Sequence, residues 1–100
     1  MGSRVINQHD LYPPDWKFIS WKIKDRAGWK CEACKVPHGP GPRKLTTHHI
    51  DYNPPNISDN NLIALCQRCH LKVQGMMQQP RTRLEVIQRL KHQGSQLYFR

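Results

Sequence analysis

The sequence predicts a small α+β domain in which a two-stranded antiparallel hairpin lies among helices and a metal site supplies part of the stability. Segments with helical periodicity alternate with two short segments rich in Leu, Thr and Ile, which predicts helices around a hairpin. Four cysteines stand in two Cys-x2-Cys pairs, which predicts the metal site. A chain of 100 residues, 37% of them hydrophobic, buries only a thin core and is expected to need such a staple.

The first predicted element is a helix over residues 13–28, PPDWKFISWKIKDRAG. Prolines suit its first turn, and Trp16, Ile19 and Ile23 recur at helical spacing. Gly28 is expected to end it. The opposite face carries the basic residues Lys17, Lys22, Lys24 and Arg26. It is expected either to be solvated or to contact phosphate groups.

The hairpin is predicted from residues 44–50, KLTTHHI, and residues 62–65, LIAL. Their Leu, Thr and Ile content favours strands, and the stretch between them has two prolines and four asparagines, which favour a loop. The sequence therefore predicts one strand, a long turn and a return strand.

Two helices are predicted after the hairpin. One begins at about Cys69, and Gly75 and Pro80 limit its length. The other follows Pro80, with Gly94 as its expected end and an apolar face formed by Leu84, Ile87 and Leu90. This last helix, within residues 80–100, is expected to pack on the same domain, whereas residues 1–12 are expected to be flexible.

The charge of the chain predicts a polyanionic partner. Lys and Arg number 16 against seven acidic residues, which gives a formal net charge of +9 and suits nucleic acid or an anionic membrane surface. There is no apolar run of about 18 residues and no signal-like start, so we expect a cytoplasmic, intracellular protein with no membrane partner. Disulfides are disfavoured in that setting.

The cysteines predict a structural zinc ion. Cys31, Cys34, Cys66 and Cys69 form two pairs separated by 31 residues, and two such pairs complete a tetrahedral Zn²⁺ site. A redox dithiol needs only one pair, and an iron-sulfur cluster stays an alternative. With four thiolates the ion has no open position, so its expected contribution is to folding.

Three of the six histidines stand out. His9, His38 and His92 fall in a predicted tail, loop and terminal helix, and are expected at the surface. His48 and His49 are neighbours in a predicted strand, where adjacent side chains point to opposite faces and do different work. His70 directly follows Cys69, and the hairpin returns the chain so that His48 can approach it.

These motifs resemble the HNH nucleases. The resemblance rests on HHI at residues 48–50, SDNNLIALC at 58–66 and CQRCH at 66–70, and covers roughly residues 16–74. It implies a ββα-metal, treble-clef-like domain over residues 13–79, and a divalent-metal-dependent endonuclease that hydrolyses DNA phosphodiester bonds.

The resemblance also implies a role for each motif residue. His49 is the expected general base and Asn61 the residue that holds it, while His48 and His70 are the expected ligands of a catalytic Mg²⁺ or Mn²⁺. Some family members have a third ligand four residues after the last His, where this chain has Gln74. Two imidazoles predict a weaker, exchangeable ion. Gln74 is a candidate to add its side-chain oxygen, and Asp51 is expected to cap the loop or to support a ligand from behind.

Double-stranded DNA is the expected partner, nicked by a monomer or cut through both strands by a dimer. The residues expected to contact its phosphates are Lys22, Lys24, Arg26, Arg43, Lys44, Arg68 and Lys72. Two alternatives remain: a non-catalytic zinc-ribbon module that binds nucleic acid by charge, and an interaction module whose double His replaces a cysteine at zinc.

Overall fold

The predicted α+β architecture is confirmed in a computed structural model, which describes residues 13–98. The elements follow the predicted order of helix, strand, strand, helix, helix: α1 Trp16–Arg26, β1 Leu45–His49, β2 Leu62–Cys66, α2 Gln67–Gln74 and α3 Arg83–Tyr98. Short 3₁₀ turns at Gly41–Arg43 and Asp59–Asn61 precede the two strands. The expectation of a flexible segment at residues 1–12 lies outside the described residues.

The strands β1 and β2 form an antiparallel hairpin in which Leu45 pairs with Cys66 and His49 with Leu62. The 50–61 loop is closed at its base by the Ile50 amide, which donates to the Asn61 carbonyl at 2.8 Å. Within residues 13–98, no helix is long and apolar enough to span a membrane.

The hairpin separates two apolar clusters, and alternation along β2 explains why. Leu62 and Ala64 face α1 and pack with Ile23. Ile63 and Leu65 face the other way, into the larger cluster that includes Val73 of α2 and Val86 of α3. All five β2 residues are buried, because the strand lies between helices on both faces.

Glu32 joins the first cysteine pair to both β2 and α3. Its carboxylate accepts the Ala64 amide at 2.8 Å and binds the guanidinium groups of Arg83 at 2.6 Å and Arg26 at 3.4 Å. Its own amide donates to the Ala64 carbonyl. Glu32 is buried, so a single carboxylate links three elements of a small core.

Several helix boundaries differ from the predictions. Helix α1 begins at Trp16 rather than at residue 13 and ends at Arg26 rather than at Gly28. Helix α2 begins at Gln67 rather than near Cys69, because the Cys66 side chain accepts the Cys69 amide and so caps the helix. Helix α3 continues through Gly94 to Tyr98, and the prediction that Gly94 ends it is wrong. Glycine in a helix interior costs only about 1 kcal/mol relative to alanine, so it permits the helix to continue.

Candidate functional site

Strand alternation places His48 and His49 on opposite faces at the end of β1. His48 faces α2, where its ring centroid lies 4.9 Å from that of His70. His49 faces α1 and stacks on Trp16, with centroids 4.8 Å apart and ring planes 26° from parallel. Both histidines are buried. The two neighbouring imidazoles therefore have different surroundings.

The three histidines nevertheless border one cleft. A cavity of about 170 Å³ at this end of the hairpin is lined by Thr47, His48, His49, Tyr52, Pro54, His70 and Gln74. His48 and His70 contribute nitrogens from two different elements to this space. The structure thus brings together the two predicted metal ligands and the predicted base.

Thr46 fixes the tautomer of His70. Its hydroxyl donates to the Leu65 carbonyl at 2.9 Å and also lies 2.9 Å from His70 Nδ1. The carbonyl can only accept, so the single hydroxyl proton goes there and Nδ1 must carry the proton that it donates to Thr46. His70 Nε2 then keeps its lone pair, the arrangement that orients a histidine ligand toward a metal.

Burial keeps the imidazoles neutral. The pKa of His48 is lowered to about 4, first by burial and then by the charges that His70 and His49 would carry. Burial also lowers the pKa of His70. Near pH 7 both rings are therefore unprotonated, which is the state that can bind a divalent cation.

His49 has the protonation state that a general base requires. Burial lowers its pKa, while the Pro54 backbone carbonyl and the Asp51 carboxylate act in the opposite direction. The imidazole is thus neutral near pH 7, and two acceptors nearby favour the imidazolium that forms when it takes a proton. Its stacking on Trp16 restricts the ring to one orientation.

Asn61 organises the loop that follows His49. Its side-chain oxygen accepts the Asp51 amide at 3.0 Å, and its side-chain nitrogen donates to the Asp51 carboxylate and the Asn56 carbonyl at 2.9 Å each. Burial raises the pKa of Asp51, but hydrogen bonds from Asn56, Asn53 and Asn61 outweigh it and hold that pKa below its usual value. Asp51 therefore links several loop residues through hydrogen bonds.

Tyr52 forms one wall of the cleft and was not predicted from the sequence. Its ring lies edge-on to His48 at 5.1 Å, and its hydroxyl donates to Gln79 at 2.9 Å. Gln79 in turn donates to the Val73 and Met76 carbonyls. Tyr52 has a φ of 59°, a left-handed conformation uncommon for a bulky residue, so the loop is held in one strained turn.

Thr46 and Trp16 were also missed as parts of the site. The signal for Thr46 was present in the sequence, because Thr46 and His48 are two residues apart and so share a strand face. The role of Trp16 depends on how α1 crosses the hairpin, which includes a 2.7 Å hydrogen bond between the Ser20 and Thr47 hydroxyls. Sequence periodicity indicates only that Trp16 faces inward.

The four cysteines form a compact cluster that could hold a metal ion such as zinc. Their sulfur atoms all lie within 4.8 Å of one another, and Cys34 Sγ is 3.7 Å from Cys66 Sγ. A tetrahedral ion with Zn–S bonds of about 2.3 Å requires sulfur atoms about 3.8 Å apart. The cluster therefore fits the predicted ion, and Cys34 is its exposed member.

Hydrogen bonds already support thiolate chemistry in this cluster. The pKa of Cys31 is lowered to about 4, chiefly because Cys69 donates to its sulfur, and backbone amides including that of Cys34 add to the effect. The pKa of Cys69 is raised correspondingly, because its proton is held between the two sulfur atoms. Amides directed at sulfur are the usual support of a Cys-x2-Cys metal site.

The predicted phosphate-contacting residues fall in different places. Arg43, Arg68 and Lys72 line a second cavity, of about 260 Å³, beside the cysteines. Lys22 is exposed on α1. Lys24 has a lowered pKa, owing first to burial and then to the nearby charge of Lys44.

Arg26, another member of this set, makes several hydrogen bonds within the chain. Its guanidinium donates to the Leu62 carbonyl at 2.7 Å and the Asp59 carbonyl at 3.2 Å, in addition to its contact with Glu32. These intramolecular bonds occupy its planar donor face. Arg26 thus joins α1 to the hairpin, and its expected contact with phosphate stays a prediction.

No protein-family model, curated protein or solved structure matches the chain. The case for a function consequently depends on the geometry and chemistry of these side chains.

Proposed function

We propose that this protein is a divalent-metal-dependent endonuclease of the HNH type that hydrolyses DNA phosphodiester bonds. The single observation that supports it most is the shared cleft. In it the ring centroids of neutral His48 and His70 lie 4.9 Å apart, and neutral His49 lines the same space. The net charge of +9 supports a polyanionic substrate. Zinc at the four cysteines belongs to the same proposal and serves folding.

His49 is the general base in this proposal. Hydrolysis requires a water molecule to lose a proton as it attacks phosphorus, and His49 accepts that proton. Asp51 and the Pro54 carbonyl stabilise the resulting imidazolium, since both raise the His49 pKa. Asn61 contributes indirectly, because its hydrogen bonds keep Asp51 and the loop in place.

His48 and His70, the latter through Nε2, would hold the catalytic cation, for which Mg²⁺ and Mn²⁺ are the candidates. Such a cation would supply positive charge to neutralise the charge that develops on phosphate oxygens and on the leaving oxygen. Gln74 lines the same cleft and is one helical turn after His70, which makes its side-chain oxygen available to the site. One active site cuts one strand per encounter, so a monomer is expected to nick.

A supercoiled-plasmid assay tests the proposal. Zinc-loaded protein should convert supercoiled plasmid into relaxed circles only after Mg²⁺ or Mn²⁺ is added. His49→Ala should reduce this rate by about 10²-fold or more, without release of zinc, whereas Leu84→Ala, at an exposed position far from the cleft in sequence, should not.

Two results would contradict the nuclease proposal. Plasmid retention with no strand breaks under any divalent cation would favour the non-catalytic zinc-ribbon alternative. Unchanged cutting by His49→Ala would remove the assigned base.

A further inference from the structure

We propose that the outer face of α1 is a stacking surface for an unpaired nucleic-acid strand. This deepens the proposed function by naming a substrate class, nucleic acid with exposed bases. The surface consists of Phe18 and Trp21, together with the flanking Lys17 and Lys22. The inner face of α1 is already used, because Trp16 and Ile23 pack toward the hairpin.

Two large aromatic side chains of this surface are exposed to solvent. Phe18 is 59% and Trp21 is 50% exposed, although burial of large aromatic side chains is favourable. The two residues are three positions apart on a helix, so they lie on the same side of α1. Two adjacent exposed aromatic rings within a basic helix suit a partner that has flat π-faces and negative charge.

The indole of Trp21 is held in place by a neighbouring aromatic ring. Its ring meets Trp29 edge-on at a centroid distance of 6.3 Å. Trp29 is itself fixed, because its indole N–H donates to Asp25 at 3.2 Å and its ring contacts His38 at 5.8 Å. A braced ring loses little conformational entropy when a base stacks on it.

Positively charged side chains flank the two rings. The Lys22 ammonium lies 5.5 Å from the Phe18 centroid, and Lys17 is exposed on the preceding turn. Asp25, four residues after Trp21, already accepts the Trp29 hydrogen bond, and Asp15 lies at the other end of the surface as the N-cap of α1. Cations beside aromatic rings match the alternation of phosphates and bases in a single strand.

A duplex cannot use this surface in the same way. Its bases are stacked on one another and present edges, so an aromatic side chain reaches their faces only where pairing is open. The nucleic acid that fits this surface is therefore DNA or RNA with an unpaired stretch, such as a single-stranded end, a loop or an opened segment of duplex.

Binding of an oligothymidylate of about ten nucleotides to zinc-loaded protein, without added Mg²⁺ or Mn²⁺, tests this inference under conditions in which no hydrolysis is needed. We expect tryptophan fluorescence to be quenched on binding. The double variant Phe18→Ala/Trp21→Ala should weaken binding by roughly ten-fold or more, and Trp21→Phe should retain most of the affinity. Leu84→Ala removes another exposed apolar side chain and should have no effect. An oligouridylate arm distinguishes RNA from DNA.

Three outcomes would overturn the stacking surface. One is equal single-strand affinity for the double variant and the unchanged protein, with both folded by circular dichroism. A second is an equal loss of affinity for blunt duplex, which would show that the two rings do not act by stacking on unpaired bases. The third is a Trp21 side chain shielded from iodide quenching in the free protein, which would show that another part of the chain covers this face. None of these results depends on strand cleavage, so the nuclease proposal is tested separately.

Discussion

At the scale of single residues, the hydroxyl of Thr46 determines which His70 nitrogen has a lone pair available for a metal ion. Thr46→Val keeps the side-chain shape and removes the acceptor for Nδ1. We expect the affinity of zinc-loaded protein for Mn²⁺ to fall by about 10- to 100-fold, as measured by electron paramagnetic resonance titration. Thr46→Ser restores the hydroxyl and should restore most of the affinity. Equal Mn²⁺ affinity of the Val and Ser variants would contradict the tautomer assignment.

The buried His48 predicts acid sensitivity of the fold. An unfolded chain binds this proton with a pKa of about 6.5, whereas the folded protein binds it only near pH 4. Between those values the unfolded state holds more protons, so the free energy of unfolding should decrease as pH falls from about 6.5 to about 4. The contribution of this one group is at most about 3 kcal/mol.

Urea unfolding over this pH range, without divalent cations other than zinc, measures the effect. His48→Gln removes the titrating group and should give a shallower loss of stability with acid. Acid also protonates the cysteines, but it does so in both proteins, so the difference between the two pH profiles isolates His48. Identical profiles would show that His48 contributes nothing.

At the scale of elements, Glu32 predicts a stability effect that spans the fold. Glu32→Ala leaves Arg83 and the Ala64 amide without their buried acceptor. We expect a loss of about 2–3 kcal/mol in the free energy of unfolding, below the range for fully buried pairs because both arginines are about one-third exposed. Denaturant unfolding checks this value.

Glu85 offers a matched control for that experiment. It forms an ion pair with Arg89 at 3.2 Å within α3, where both side chains are more than one-third exposed. Glu85 also accepts the exposed Arg81 amide at 2.9 Å, so Glu85→Ala should cost about 1 kcal/mol, still less than Glu32→Ala. Similar losses for the two variants would show that Glu32 is an ordinary surface carboxylate.

Prediction and structure agree for the elements whose signals are local in sequence. Local signals sufficed for the hairpin, because Leu, Thr and Ile runs flank an Asn- and Pro-rich loop. They did not suffice for the start of α2, where a cysteine side chain replaces the usual Ser or Asp cap. Glu32 was missed because its partners are 32 and 51 residues away in sequence.

The candidate site divides in the same way. His48, His49, Asn61 and His70 carry motif spacing, and the structure places the three histidines around one cleft. Tyr52 has no such signal, because its position depends on a left-handed turn and a bond to Gln79. Contacts that join distant elements are invisible to periodicity, and those contacts orient the rings.

On the scale of the whole molecule, the arrangement of acidic residues strengthens the positive field. Four of the six acidic residues in the described part of the chain accept internal hydrogen bonds: Glu32, Asp25, Asp51 and Glu85. Their charges are thus directed at internal donors, whereas Lys17, Lys22, Arg43 and Arg68 are exposed. A net charge of +9 distributed in this way favours association with nucleic acid and predicts that binding weakens as salt rises.

The metal at the four cysteines is expected to decide whether the molecule folds at all. Three of the sulfur ligands are buried in the larger apolar cluster or at its edge, so demetallation leaves thiols in the core without their shared ion. Structural zinc contributes apparent binding free energies of about 10–16 kcal/mol, comparable to the whole stability of a small domain. Chelation should therefore unfold the protein cooperatively, with loss of helical circular dichroism.

Re-addition of Zn²⁺, but not of Mg²⁺, should restore the helical signal, because thiolates prefer the softer ion. Cys69→Ser should mimic chelation, since it removes a buried ligand at the start of α2. Colorimetric release of metal from purified protein should give one zinc per chain, and His49→Ala should leave that ratio unchanged. A metal-free chain that retains its helices and a cooperative thermal transition would contradict the structural role, because the apolar core alone would then hold the hairpin and helices together.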